Sequence, residues 1–392
     1  MLFRSLLIVL FFVTGSAFAA DRLPAADSQQ KLDLLISSAI SDGLIAGGIV
    51  LIGDHDKVLF QKAYGKVSSA PDAGAVTFDT IFDIASLTKV IATTPAVLKL
   101  MDEGKLGLLD PVEKWYPEFN GHMKDDLLIV NLLTHTSGLC DFPLSSENAI
   151  QSAVNGAAFQ KLKGEVWSGF RYADINFIIL ADLVKKVSGT GLDAYAANYF
   201  FKPMGMKDTC FNPGKEESLR CAATLNTEDN TLLFGQVQDY AARQLGGVAG
   251  HAGLFSTAAD LARFCRMILN GGEYEGTRIL SRRVIDQMTA PYFSRGGKVI
   301  RGLGWDIHSP YSSPRGGFSS TSFGHTGYSG SSVWIDPAND LFAVFLTSRL
   351  DYKNTRYFNR LRDAVSTLAV EMFVPVSSID QTMAGIFNQR FP

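Results

Sequence analysis

Apolar residues recur along the chain with several spacings, and each spacing predicts a different kind of element. Residues 31–40 carry helical spacing, whereas 48–53 and 58–64 are short apolar or alternating runs around Asp54-His55-Asp56, predicting two strands joined by a turn. From 86 to 103 the run is predominantly apolar. That predicts a long helix buried on most sides, stopped at Gly104 and kinked at Pro95, which removes one intrahelical hydrogen bond. Helices are further predicted at 176–187, ending near Gly189, and at Ala258–Leu269, ending in Asn270-Gly271-Gly272. Strands return late, at 331–335 and 341–347, around a turn at Asp336-Pro337-Ala338-Asn339. Residues 341–346 are apolar on both alternations, the pattern of a strand covered on both faces. A last helix places Phe358, Leu361, Val365, Leu368 and Met372 on one stripe.

Strands at both ends and helices between them predict one α/β domain over residues 20–392. Its sheet is assembled from about 45–65 and about 300–350, with an inserted all-α lobe at about 86–280. At 392 residues, with 46% hydrophobic and 19% charged positions, the chain can bury a large core without repeats or low-complexity arms. A formal charge of −3 and the absence of a basic run argue against nucleic acid as partner and leave small-molecule or peptide substrates.

The first 19 residues have the form of a signal peptide: Arg4, an apolar run at 6–13 and Ala17-Phe18-Ala19, which places cleavage before Ala20. The run is too short to span a bilayer, and no later stretch of about 20 apolar residues follows it. The expectation is a periplasmic or secreted protein with no transmembrane segment after processing. In an oxidising compartment, Cys210 and Cys221, which bracket Asn212-Pro213-Gly214, become candidates for a disulfide. Four buried free thiols are the alternative. No CxxC or HExxH spacing points to a metal, and no cofactor is expected.

The chemistry is concentrated in three short motifs. Ser86-Leu87-Thr88-Lys89 puts a hydroxyl and an amine one helical turn apart. A serine becomes nucleophilic when a neighbouring base takes its proton, and a desolvated lysine serves if its pKa is depressed. Tyr172-Ala173-Asp174 precedes the helix at 176–187, and Gly324-His325-Thr326-Gly327 precedes the strand at 331–335. With Leu133-Thr134-His135-Thr136-Ser137-Gly138-Leu139 and Gly253-Leu254-Phe255-Ser256-Thr257, these make residues 45–350 resemble the serine β-lactamase and penicillin-binding-protein superfamily, in its class C-like branch.

That resemblance implies an antiparallel five-stranded sheet flanked by helices, with the site in the cleft beside the helical lobe. It makes Ser86 the nucleophile and gives Lys89 and Tyr172 the proton relay. Asp174 either keeps Lys89 protonated or fixes a substrate amide. Thr326 would bond substrate, Gly327 would let the backbone approach closely, and the Ser86 and Tyr328 N–H groups would form the oxyanion hole. His251, in Gly250-His251-Ala252-Gly253, would border the acyl side of the pocket.

His325 departs from the pattern, since penicillin-recognising members usually carry lysine there. An imidazole with an ordinary pKa of about 6.5 offers only a partial charge to a substrate carboxylate. This tilts the reading toward esters, or toward D-amino-acid and cell-wall-derived peptides needing little carboxylate recognition. The leading function is an exported serine hydrolase cleaving an ester or amide, β-lactams included, through an acyl-Ser86 intermediate. The alternative is a penicillin-receptor-like sensor that acylates without turnover. An α/β-hydrolase is disfavoured because Gly327-Tyr328-Ser329-Gly330-Ser331 lacks the last glycine of a nucleophile elbow.

Overall fold

A computed structural model describes residues 22–121, 124–296, 299–309 and 315–374. The expected signal peptide at 1–19 lies outside the described residues. After helix α1 (Ala26–Ser41), strands β1 (Ile45–Gly53) and β2 (Val58–Gly65) form a hairpin. The other sheet strands all come late: β3 (Phe293–Arg295), β4 (Val299–Arg301), β5 (Asp306–His308), β6 (Phe323–Thr326), β7 (Ser332–Asp336) and β8 (Leu341–Arg349). The antiparallel sheet runs in the order β3-β4-β5-β6-β7-β8-β1-β2, so β8 joins the two ends of the chain.

Both faces of this sheet are covered. On β1, Ile49 and Leu51 face the large core shared with the helical lobe, while Val50 and Ile52 face α1 and the last helix, Thr355–Phe373. β8 splits the same way, with Phe342, Val344 and Leu346 toward the lobe and Leu341, Ala343 and Phe345 toward the opposite layer. Each such fully buried side chain contributes about 1.5–3 kcal/mol relative to exposure. Truncating one, as in Phe345→Ala, costs about 3–5 kcal/mol once the cavity left behind is included.

Two expectations are corrected here. Among the described residues the sheet has eight strands rather than five. Strands β1, β2, β7 and β8 fall where the sequence places strands, β6 carries the triplet expected at the sheet edge, and β3, β4 and β5 extend the sheet past β6. These additions are three residues each, and β5 meets β6 through one residue pair, Asp306↔Gly324, so they leave no alternation to read. The expected helix at 86–103 is also not continuous. A single 3-10 turn, Ala85–Leu87, leads into a wide π turn, Lys89–Thr93, and only then into α2 (Thr94–Asp102). Pro95 thus falls in the first turn of α2, where its missing N–H leaves no bond unmade.

The cysteines are free. Cys210 lies in a short strand against Phe255, and the Cys221 thiol donates to the Glu217 carbonyl at 3.4 Å. Burial pushes these thiols up to about 11 and about 12 respectively, so both stay protonated at neutral pH.

Candidate active site

Ser86 is presented by a braced turn. Just before it, Phe82–Asp83 pairs with Leu254–Ser256, which pairs in turn with Cys210–Phe211. Ala85 then adopts φ +46°, a left-handed conformation that a residue with a β-carbon holds only when its surroundings enforce it. Asp83 supplies part of that force: its Oδ1 accepts the Ala85 N–H at 2.8 Å and its Oδ2 the Gln238 N–H at 2.8 Å. The Thr88 hydroxyl donates to the Ala85 carbonyl at 2.6 Å and accepts the Leu254 N–H at 3.1 Å. Ser86 emerges half-buried from this turn, facing a cavity.

Lys89 is fully buried beneath it. Its Nζ lies 3.0 Å from Ser86 Oγ, 2.9 Å from the His251 carbonyl and 2.7 Å from Asp174 Oδ1. The Tyr172 hydroxyl is hydrogen bonded to both Lys89 and Ser86, and Nζ sits 5.0 Å from the centre of its ring. Burial alone would strip the ammonium of its proton, but the Asp174 carboxylate and the Tyr172 hydroxyl outweigh it, so Lys89 is raised above its ordinary value. The depressed lysine expected as a base is therefore replaced by a fixed cation. Burial likewise pushes Tyr172 up, against the pull of Lys89, so the phenol is protonated at rest.

Tyr172 is held in place by His135, which stacks on it with ring centres 4.5 Å apart. His135 Nδ1 accepts the Ala173 N–H at 3.3 Å, and burial, with Arg301 and Lys89 nearby, keeps the ring neutral. His251 plays a different part from the one expected. Its side chain is 1% exposed and turned away to Asp239, with Nε2 2.9 Å from Oδ1, so it does not border the pocket. What reaches the site is its carbonyl, on Lys89. Asp174, Asp239 and His251 place ligand-type atoms within 4.8 Å of one another. Lys89 Nζ already supplies the cation beside Asp174.

On the sheet side, β6 brings the His325-Thr326-Gly327 triplet to the same cavity as Ser86. A β-carbon on Gly327 would lie 2.1 Å from Ser331 Oγ and 2.4 Å from the Ile84 carbonyl, so only glycine lets this loop close on the nucleophile turn. Neither the Ser86 N–H nor the Tyr328 N–H has a hydrogen-bond acceptor among the described residues. Both are therefore free to bind a developing oxyanion. His325 is buried, and its Nδ1 donates to the Thr326 carbonyl at 2.9 Å. Burial, then Arg301 and Lys89, hold it well below its ordinary value, so it is neutral and offers a carboxylate no charge.

The positive charge comes instead from three residues that sequence reading missed. Arg301, at the end of β4, Arg349, at the end of β8, and Arg362, on the last helix α3 (Thr355–Phe373), line the same cavity of about 210 Å³. Among the described residues, Asp306 is the one carboxylate in that lining, 3.4 Å from Arg301. One signal was available: Arg362 falls on the apolar stripe of α3, between Phe358 and Val365, where a charge is out of place.

The family model for Beta-lactamase matches residues 32–366. The chain belongs to the beta-lactamase family. A relative from Salmonella agona (strain SL483), named "Putative D-alanyl-D-alanine carboxypeptidase", is 32% identical over 368 residues, covering 82% of this chain and 83% of its own. A protein of the same name from Escherichia coli (strain K12) is 30% identical over 362 residues, covering 81% and 82%. Among solved structures, "EstCE1, a hydrolase with promiscuous acyltransferase activity" shares the fold of this beta-lactamase family member. It superposes with a TM-score of 0.71 at 21% identity, over 87% of this chain and 100% of its own.

Proposed function

We propose that the protein is an exported hydrolase that works through an acyl-Ser86 intermediate on amides or esters carrying a free carboxylate near the scissile bond, with D-alanyl-D-alanine-type peptides as the leading class. The observation that carries this is the pairing, in one cavity, of Ser86 with three guanidinium groups against a single carboxylate. His325 is neutral and offers no charge at β6, whereas Arg301, Arg349 and Arg362 in the same lining are positive. The relatives whose names carry D-alanyl-D-alanine carboxypeptidase fit the same substrate class. Export rests on the 1–19 segment; no helix of the described residues is long and apolar enough to cross a membrane.

The proton path follows from the protonation states. Lys89 is an ammonium and Tyr172 a neutral phenol, so neither accepts the Ser86 proton unless it releases its own. Ser86 passes its proton to Tyr172 Oη, Tyr172 passes one to Lys89 Nζ, and Lys89 passes one to Asp174 Oδ1 at 2.7 Å. The relay leaves the phenol and ammonium as they began and makes Asp174, which is one-third exposed, the terminal acceptor. Attack on the carbonyl forms the acyl ester while the Ser86 and Tyr328 N–H groups hold the oxyanion. The relay run backward protonates the leaving group, and water repeats the sequence to release the acid.

The test is covalent trapping followed by a paired turnover assay. A fluorophosphonate should add to the peptide containing Ser86, and Ser86→Ala should abolish both adduct and turnover. Peptides ending in a free D-alanine carboxylate should be cleaved with higher kcat/KM than their amidated forms. An adduct on another serine overturns the mechanism, and equal rates on the two peptides overturn the substrate class. A stoichiometric burst with no turnover would instead favour the sensing role.

A further inference from the structure

Two arginines grip the loop that carries the Tyr328 N–H. Arg362 Nη2 donates to the Gly327 carbonyl and, at 3.0 Å, to the Ser331 carbonyl. Arg349 Nη1 donates to the Tyr328 carbonyl at 3.0 Å. The Gly327 carbonyl and the Tyr328 N–H belong to one peptide group, which is trans like every other described peptide bond. Its carbonyl and N–H therefore point to opposite sides, and fixing the carbonyl on α3 fixes the direction of the N–H. The Gly330 N–H also donates to the Gly327 carbonyl, at 3.1 Å, so that oxygen is bonded from two sides.

We infer that Arg362 is a positioning residue of the oxyanion hole, aiming and polarising the Tyr328 N–H through the Gly327–Tyr328 peptide. A cation on a carbonyl oxygen draws electron density through the amide resonance and makes the attached N–H a stronger donor, as in hydrogen-bond chains generally. The negative charge that develops on substrate then lies one peptide group away from a fixed positive charge.

The surroundings of Arg362 agree with a charge kept for this purpose. The side chain is buried, and the charged or ionisable neighbours that act on it are Arg349 and Tyr352. Burial pushes it down to about 9, still cationic at neutral pH. Its third described contact is with neutral Asn359 Oδ1, at 3.0 Å. The guanidinium carbons of Arg349 and Arg362 lie 4.3 and 4.8 Å from the centre of the Phe358 ring. Holding two loop carbonyls requires only a neutral donor. Burying a cation for it is costly, so the charge itself is the feature to explain.

The inference rests on the acyl-Ser86 chemistry proposed above, and its test separates the two. The protein is acylated with p-nitrophenyl cinnamate labelled with ¹³C at the carbonyl, and the ester stretch is read by difference infrared spectroscopy in wild type, Arg362→Lys and Arg362→Met. A strong oxyanion hole lowers this stretch. It should move to higher frequency in Arg362→Met and part of the way in Arg362→Lys. For this uncharged ester, which does not engage the carboxylate preference proposed above, kcat/KM should fall about 10- to 10²-fold in Arg362→Met with KM little changed, short of the ~10²- to 10³-fold cost of deleting an oxyanion donor. Affinity for an arylboronic acid, which forms a tetrahedral adduct, should fall by the same factor. Should Arg362→Met fail to fold, Arg362→Lys gives the same reading. A stretch at the wild-type frequency in the variants overturns the inference whatever the activity, because a merely structural arginine would leave it unmoved. No labelled ester on wild-type Ser86 overturns the acyl-enzyme chemistry itself, and this inference with it.

Discussion

Lys89 Nζ lies 2.7 Å from Asp174 Oδ1, and this ion pair decides what the lysine can do. A fully buried amine without a counter-ion would give up its proton and could serve as a base. With the carboxylate in contact, the ammonium is retained against burial. In the relay proposed above, Lys89 orients Ser86 and conducts protons, and Asp174 is the group at which they stop.

Replacing Asp174 with asparagine should therefore change the mechanism as well as the rate. Without the carboxylate, burial dominates at Lys89 and its pKa drops. At pH 7, kcat/KM should fall by about 10²-fold, the scale of a lost acid–base group. Asp174→Asn should then regain activity as pH rises and neutral Lys89 takes the Ser86 proton directly, a limb that the wild type lacks. Matching wild-type and variant pH–rate profiles would show that Asp174 is outside the relay.

His325 should contribute no pH dependence to substrate choice. Burial and the neighbouring Arg301 and Lys89 keep it neutral from the usual histidine range upward. The ratio of kcat/KM for carboxylate-bearing and amidated substrates should stay level between pH 5.5 and 8. A ratio falling through pH 6 to 7 would mean that the ring is protonated and meets the carboxylate itself.

Legibility followed locality. The sheet centre could be read because β1 and β8 are nine-residue strands buried throughout, and their double-sided apolarity is written along the chain. Ser86 and Lys89 could be paired because they lie one turn apart, and their side chains do meet, at 3.0 Å. Arg349 and Arg362 could not be placed, because they reach Gly327 and Tyr328 only through the docking of β8 and α3 beside the β6–β7 loop. His325 reads as mostly neutral from its ordinary pKa alone, and how far below that value it is held was not legible, because Arg301, one of its leading perturbers, sits on a sheet extension whose three-residue strands carry no pattern.

Gly327 offers a test of the closeness between loop and nucleophile turn. Gly327→Ala puts a methyl group against the Ile84 carbonyl and Ser331 Oγ, at 2.4 and 2.1 Å before relaxation. The loop must shift and carry the Tyr328 N–H with it. kcat/KM should fall by about 10²-fold or more, the effect of losing an oxyanion donor. Stability should fall by about 1–3 kcal/mol, the usual cost of overpacking. Retained activity in a folded Gly327→Ala variant, measured alongside thermal unfolding, would remove the loop from the oxyanion hole.

Asp83 predicts a pH dependence of stability opposite to that of an ion-paired carboxylate. Burial raises its folded pKa from 3.8 to about 6, against the Gln238 and Ala85 N–H groups that favour the anion. The folded state therefore holds this proton more tightly than the unfolded chain does. As pH rises above 3.8 the unfolded chain ionises first, and stability declines until the folded carboxyl also ionises near pH 6. A difference of about two pH units corresponds to about 3 kcal/mol of stability present at low pH and absent at neutral pH. Asp83→Asn cannot ionise, and its lost acceptor gives an offset independent of pH. In urea unfolding at pH 4.5, 5.5 and 7, the wild type should therefore lose stability relative to Asp83→Asn as pH rises. The gap should stop changing above pH 6 to 7. A gap that stays constant over the whole range would mean that Asp83 is ionised in the folded protein throughout, with its two backbone N–H bonds outweighing burial.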